Sequence, residues 1–286
     1  MSITQMFTKL KTSQKASDAL TKALCYFLLI IFGFTMVIPF VWMILATFKT
    51  PEEIFTSGFL PKAIHWLNYQ KVLATSGMAN WYLNSLIVAI ISTTSVCFFD
   101  SLAGYVFAKF NFPFKRLVFI LILSTLMIPT EMLIIPWYVL AAKYGWVDSY
   151  WGIAFPGIIT AGGVFLMQQF MKSVPDELID SARIDGLNEF GIFLRIAMPL
   201  SLPAVGALAI FNFLGNWNAF LWPLIVTSTR QAMTLPVGML FFSNETSRNW
   251  ELVMTGATLS VLPLMIVFLF FQRYIIRGIQ ITGLKG

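Results

Sequence analysis

"DELIDSARIDGLNEFGIFLRIAMP", residues 176–199, is the most polar long stretch of a chain that is otherwise apolar. It carries the carboxylates Asp176, Glu177, Asp180, Asp185 and Glu189 and the arginines Arg183 and Arg195. Ile179, Ala182, Leu187, Phe190, Phe193 and Leu194 recur among them at roughly helical spacing, which predicts two short amphipathic helices and not a solvated linker. Asp185-Gly186 is the natural break between the two, because glycine takes the positive φ that ends one helix before another begins. A folded knob with one apolar face needs something to cover that face. A helix lying among lipid headgroups favours Lys and Arg on its polar side, whereas this one is dominated by Asp and Glu, so a protein partner is the expected cover.

The sequence around the knob explains why it stands out. Of 286 residues 58% are hydrophobic, 16% aromatic and only 11% charged, a balance far from that of soluble domains and suited to lipid-facing and interhelical surfaces. Six windows free or nearly free of charge, 23–47, 84–108, 117–142, 151–171, 200–227 and 252–272, are each long enough to cross a bilayer as a helix. The first follows a basic stretch but is too long for a signal-peptide core and is read as a retained anchor. The expected architecture is therefore an all-α membrane protein with six transmembrane helices. It comprises an N-terminal segment 1–22, a transmembrane domain 23–272 with the polar loop at 173–199, and a tail 273–286.

The net charge of +6 is spread between apolar runs and does not form a nucleic-acid patch. It is better read as topology, because short basic loops stay in the cytoplasm. Lys9, Lys11, Lys15, Lys22, Lys109, Lys115, Arg116, Lys172, Arg183, Arg195, Arg273, Arg277 and Lys285 fall on one side; Lys49, Lys62, Lys71, Lys143, Arg230 and Arg248 fall on the other. Both termini and the acidic loop are thus expected in the cytoplasm, on the ATP side. Cys25 and Cys97 lie inside apolar runs and carry no disulfide signal. Prolines at Pro39, Pro129, Pro136, Pro156, Pro203, Pro223 and Pro263 are more than helix packing alone would use and fit a pathway of broken helices.

The spacing within the polar loop resembles the EAA motif of bacterial ABC importer permeases: E-A-A, three residues, G, nine residues, I-x-L-P. Here Asp180-Ser181-Ala182 is followed by Arg183-Ile184-Asp185, Gly186, nine residues, and Ile196-Ala197-Met198-Pro199. Asp180, Ser181 and Met198 depart mildly from the pattern. "DSLAGYVFAKFNFPFKR" (100–116), "MIPTEMLIIPWYVL" (127–140), "NWNAFLWPLIV" (216–226) and "ITGLKG" (281–286) are similar to the carbohydrate, maltose-type branch of that family. The resemblance implies the type I permease fold and a chain that is not an enzyme. It implies as partners a second homologous permease, two cytoplasmic ABC ATPase subunits that hold ATP and Mg, and an extracytoplasmic solute-binding protein that delivers a carbohydrate, which in this branch is a disaccharide, an oligosaccharide or a polyol phosphate. The location implied is the bacterial inner membrane. No cofactor or metal is expected on this chain, which has no G-x-x-x-x-G-K-[ST] phosphate loop.

The resemblance makes Glu177, Asp180, Ser181, Ala182, Arg183, Asp185, Gly186, Ile196 and Pro199 the ATPase-coupling residues. Asn212, Asn216, Trp217, Asn218 and Trp222 put amides and indoles into an apolar helix, the mixture that binds sugar hydroxyls and the C–H faces of a pyranose, so they are the expected substrate pathway; interhelical bonding is the competing role. In the outer loop, "MTLPVGMLFF" (233–242) has more apolar surface than a solvated connection should expose, and Leu235, Pro236, Val237 and Gly238 are the expected binding-protein contact. The short glycine-containing tail, 278–286, is expected to reach the ATPase subunits. The rival reading is an ion-coupled secondary transporter using Asp100 and Glu131, the two intramembrane carboxylates. A His-based metal site or catalytic triad cannot be built from the single histidine, His65. The sequon Asn244-Glu245-Thr246 is taken as a chance match.

Overall fold

The computed structural model describes residues 3–56, 58–74, 77–242 and 249–283, with side chains described between 20 and 270. Among these residues every regular element is a helix. Short 3-10 and π-helical turns aside, the α-helices in order are α1 (Ile3–Ala46), α2 (Glu53–Thr56), α3 (Leu67–Ala74), α4 (Met78–Lys109), α5 (Lys115–Ser124), α6 (Ile134–Lys143), α7 (Tyr150–Ala154), α8 (Ala161–Met171), α9 (Asp176–Ile184), α10 (Glu189–Ile192), α11 (Met198–Leu200), α12 (Leu202–Trp217), α13 (Leu221–Val226), α14 (Leu235–Gly238) and α15 (Trp250–Gly283). The sequon, and residues 284–286 of the tail, lie outside the described residues.

Among the described residues three helical stretches are long and apolar enough to cross a membrane unbroken: Leu20–Ala46, Met78–Lys109 and Trp250–Phe270. Three more spans are bent pairs, Lys115–Met127 with Thr130–Lys143 at 95°, Tyr150–Gly157 with Ala161–Met171 at 50°, and Glu189–Leu200 with Leu202–Trp217 at 81°. Counted with each bent pair as one span, the described residues supply six.

Proline placement accounts for much of the breaking. Ile128 is extended, at φ −90° and ψ 117°, as the residue before a proline is pushed to be, and Pro129 then opens the next helical turn. Pro203 enters the first turn of α12, where its missing N–H costs nothing. The expected fifth span, 200–227, is not one helix. α12 ends at Trp217 and α13 starts only at Leu221, while the polar loop's second arm runs into α12 across the 81° bend at Ser201. A continuous apolar run conceals both interruptions, because lipid exposure tolerates a break wherever neighbouring groups satisfy the freed carbonyls.

The chain divides into two units, Met1–Gln70 with Asn249–Thr258, and Lys71–Arg248 with Leu259–Gly286. In the first, α1 leads into a loop held by Asn68, whose Nδ2 donates to the carbonyls of Thr47 and Lys49 at 2.8 and 2.9 Å. The buried Lys49 donates through Nζ to Gly58 O at 2.7 Å.

The second unit is built around α4, which packs principally on α8 and α12. Gly104 permits the α4–α8 approach: a Cβ there would lie 2.6 Å from Met167 Cβ and 2.8 Å from Gln168 N. Two apolar cores sit at different levels of α4. One gathers Val96, Tyr105, Met167, Met171, Ala204 and Leu208; the other gathers Val88, Ala141, Ile153, Ala154 and Val226.

Candidate functional site: the polar loop and the groups above it

The two predicted helices of the loop are α9 and α10, with a hinge at Gly186. Leu187 N donates to Ala182 O at 3.0 Å and Gly186 N to Arg183 O at 3.1 Å. With Gly186 at φ +84°, these two bonds form the left-handed C-terminal cap that glycine favours. Asn188 then caps α10, its Oδ1 accepting from Gly191 N at 2.7 Å. Past α10 the backbone widens into a π-helical turn, Phe193–Ala197, before α11.

The apolar face is covered from within, which corrects the expectation that a partner covers it. Ile179, Ala182, Ile192, Phe193 and Ala197 are buried in the core formed by α4, α8 and α12. What remains outside is Phe190 at 51% and Leu194 at 42% exposure from the predicted face, together with Ile184 at 87% and Leu178 at 45%. Ile184 was not singled out from the sequence because its neighbours are charged, yet it is the most exposed large apolar side chain among the described residues.

Ion pairs within the knob brace α9 against α10, and one ion pair and one hydrogen bond tie it to α4. Arg183 donates to Glu189 Oε1 and to Asp180 Oδ1, each at 2.7 Å, and Tyr105 of α4 donates to Glu189 Oε2 at 3.1 Å. The Glu189 bond, reinforced by Asp180, raises the pKa of Arg183. Lys109 at the end of α4 donates to Val174 O at 2.5 Å and to Asp176 at 2.6 Å, and this bond holds the Asp176 carboxyl below the usual carboxylate range. Glu177, Asp180, Ser181, Arg183, Asp185, Gly186 and Pro199 are exposed, Ile196 is half-buried, and Ala182 is buried.

The expected pathway residues separate into two groups. Asn216 Nδ2 donates to Asn212 Oδ1 at 2.9 Å, and Thr93 of α4 donates to that same oxygen at 3.3 Å. Asn216 also faces Gly157, at the break in the fourth span. Trp217, in contrast, is buried with Nε1 donating to Ser260 O at 3.0 Å, Trp222 Nε1 donates to the carbonyls of Gly152 and Ile153, and Asn218 turns back to Leu214 O.

The outer loop also departs from expectation. Leu235, Val237 and Gly238 are buried against α4, Leu235 N donating to Ser85 Oγ at 2.8 Å. A Cβ at Gly238 would meet the Trp81 ring at 2.1 Å. The apolar surface is therefore mostly consumed internally. Leu240 and Phe241 are the exposed ones, beside Arg230, whose guanidinium lies 4.4 Å from the Phe241 ring centroid.

Neither intramembrane carboxylate is arranged as an ion relay. Asp100 is fully buried and bonded to Thr160 on the neighbouring helix, and Glu131 lies exposed in the short turn after Pro129.

Comparison with known proteins agrees with this geometry. Residues 101–281 match the family described as binding-protein-dependent transport system inner membrane component. The arabinooligosaccharides transport system permease protein AraQ of Bacillus subtilis is 36% identical over 87% of this chain and 90% of its own length. The lactose transport system permease protein LacG of Rhizobium radiobacter is 31% identical over 88% of this chain and 93% of its own. In fold, the chain is similar to the crystal structure of a bacterial ABC transporter involved in the import of the acidic polysaccharide alginate, with a TM-score of 0.79 at 20% identity, covering 90% of this chain and 97% of that one.

Proposed function

The chain belongs to the binding-protein-dependent transport system inner membrane components, and from that premise we propose that it is the permease subunit of an ATP-driven importer for a di- or oligosaccharide. Sugar permeases among its relatives support the substrate class. The observation that carries the mechanism is the knob itself: a hinged helix pair, tied to α4 by Lys109 and Tyr105, that leaves Ile184 exposed on a segment whose Glu177, Asp180, Arg183 and Asp185 are exposed as well. Such a surface fits a cleft in a cytoplasmic ATPase subunit, with Ile184 as the apolar anchor and the carboxylates as its polar rim. ATP and Mg belong to that subunit.

In this reading the loop and both termini are cytoplasmic, a second permease completes the pathway, and a solute-binding protein docks on the outer face through Arg230, Leu240 and Phe241. Asn212 and Asn216 with Thr93 are this chain's pathway contribution. The test is a complex of this chain with its partner permease and ATPase subunits in proteoliposomes, supplied with binding protein and labelled arabino-oligosaccharide or lactose. Accumulation that requires both ATP and binding protein is expected; uptake driven by an ion gradient without ATP would overturn the reading.

A further inference from the structure

Asp100 is a carboxylate within the transmembrane helix α4, in the third nearer Lys109, at 0% exposure, and the transport reading above makes no use of it. Burying such a group is costly unless it is well bonded, so its partners indicate what it does. Both of its oxygens are taken by the residue just before α8: Thr160 N donates to Oδ1 at 3.0 Å and Thr160 Oγ1 donates to Oδ2 at 2.6 Å. Thr160 is also the N-cap of α8, its Oγ1 accepting from Gly163 N at 3.0 Å. Gly163 makes room for the contact, since a Cβ there would lie 1.9 Å from Asp100 Oδ2. The negative carboxylate meets the positive end of an 11-residue helix through charge-assisted bonds, a stronger junction than a neutral cap would give.

The position of this junction is informative. It closes the 50° break in the fourth span, where Ser95 of α4 also donates to Ile158 O at 2.7 Å. Gly157, on the far side of the break, faces Asn216. At the opposite end, α8 runs into α9, and α4 is tied to the knob by Lys109 and Tyr105. Between the two ends Gly104 holds the helices in contact. α4 and α8 thus form one arm that reaches from the knob to the asparagines.

We propose that Asp100 is a positioning residue of transport: it latches α8 to α4, so that displacement of the knob by the ATPase subunit is delivered to the break at 158–160 and the asparagines beside it, instead of being absorbed by bending there. This rests on the importer reading above. The experiment measures ATP hydrolysed per labelled arabino-oligosaccharide imported by the full complex in proteoliposomes, for wild type, Asp100→Asn, Thr160→Val and Thr160→Ser. Asp100→Asn and Thr160→Val should keep binding-protein-stimulated hydrolysis within about twofold while import falls about tenfold, because charge-assisted buried bonds are lost while the knob is untouched. Thr160→Ser keeps both donors and should stay near the wild-type ratio. If Asp100→Asn does not accumulate in the membrane, the Thr160 pair decides alone. An unchanged ratio, or a parallel fall of hydrolysis and import, overturns the latch while leaving the importer reading intact. A wild-type complex that imports neither this probe nor lactose overturns that reading, and the latch with it.

Discussion

At the scale of the residue, Gly186 and Ile184 carry the largest consequences. Gly186 has open space around its missing side chain, so what forbids substitution is the backbone angle of +84° and not crowding. A β-branched residue resists that conformation by about 1–2 kcal/mol, whereas asparagine tolerates it. Gly186→Val should therefore tilt α9 against α10 and abolish both ATPase pull-down and uptake, while Gly186→Asn retains most of each. Wild-type behaviour of Gly186→Val would remove the knob from the mechanism. Ile184 makes the complementary case, since its exposure means that nothing in this chain is lost on trimming it. Ile184→Asp should leave the chain's own thermal stability unchanged and weaken ATPase binding about tenfold or more, as loss of a central apolar anchor does. Equal binding in a titration would show that the apolar anchor lies elsewhere. Asp180, exposed and paired only with Arg183, should matter far less to stability when changed to alanine, because exposed ion pairs contribute about 0–1 kcal/mol.

At the scale of the element, close helix contact supplies a paired test. Gly162 and Gly163 are adjacent in α8, yet a Cβ at Gly162 meets nothing within 4 Å while one at Gly163 collides with Asp100. Gly162→Ala should be neutral or slightly stabilising, and Gly163→Ala should cost about 1–3 kcal/mol as an overpacked contact. Thermal unfolding in detergent separates the two, and equal midpoints would mean that α4 and α8 do not pack this closely. This pair also illustrates how far the sequence was legible. The apolar runs, the helix–glycine–helix form of the loop and the family spacing were readable because hydrophobic length, helical period and φ preference are local properties. The breaks in the third, fourth and fifth spans were legible only as the prolines Pro129, Pro156 and Pro203, and where and how sharply each span bends was not, since a run such as 200–227 reads as continuous whether or not Ser201 bends it. Nor could the cover of the knob be read, because the amphipathic face shows that something covers it without showing that the cover is α4 and α8. The same limit affected the outer loop: "LPVG" reads as exposed apolar surface until Trp81 is seen to fill the space over Gly238.

At the scale of the whole molecule, α4 sorts the loops of its unit. Its Lys109 end carries the knob through Val174, Asp176 and Glu189, and Lys115 follows directly, donating to Phe110 O at 2.7 Å. Its Met78 end carries the opposite loops, with Trp81 Nε1 donating to Arg230 O at 2.8 Å, Asn84 Nδ2 to Gln231 O at 2.7 Å, and Tyr150 OH to Asn84 Oδ1 at 2.9 Å. Of the two groups of cations drawn from the sequence, Lys109, Lys115 and Arg183 lie at the knob end of this helix and Arg230 at the other, which is the asymmetry that the proposed cytoplasmic knob requires of the positive-inside rule. Two serines make this orientation measurable, because Ser181 on α9 and Ser228 in the outer loop are both exposed. In a background with Cys25 and Cys97 replaced by serine, Ser228→Cys should react with a membrane-impermeant maleimide on intact spheroplasts, and Ser181→Cys only after the membrane is opened. The inverse pattern would put the acidic knob outside, beyond reach of any ATPase, and the same charge count that orients the protein would then have failed together with the mechanism built on it.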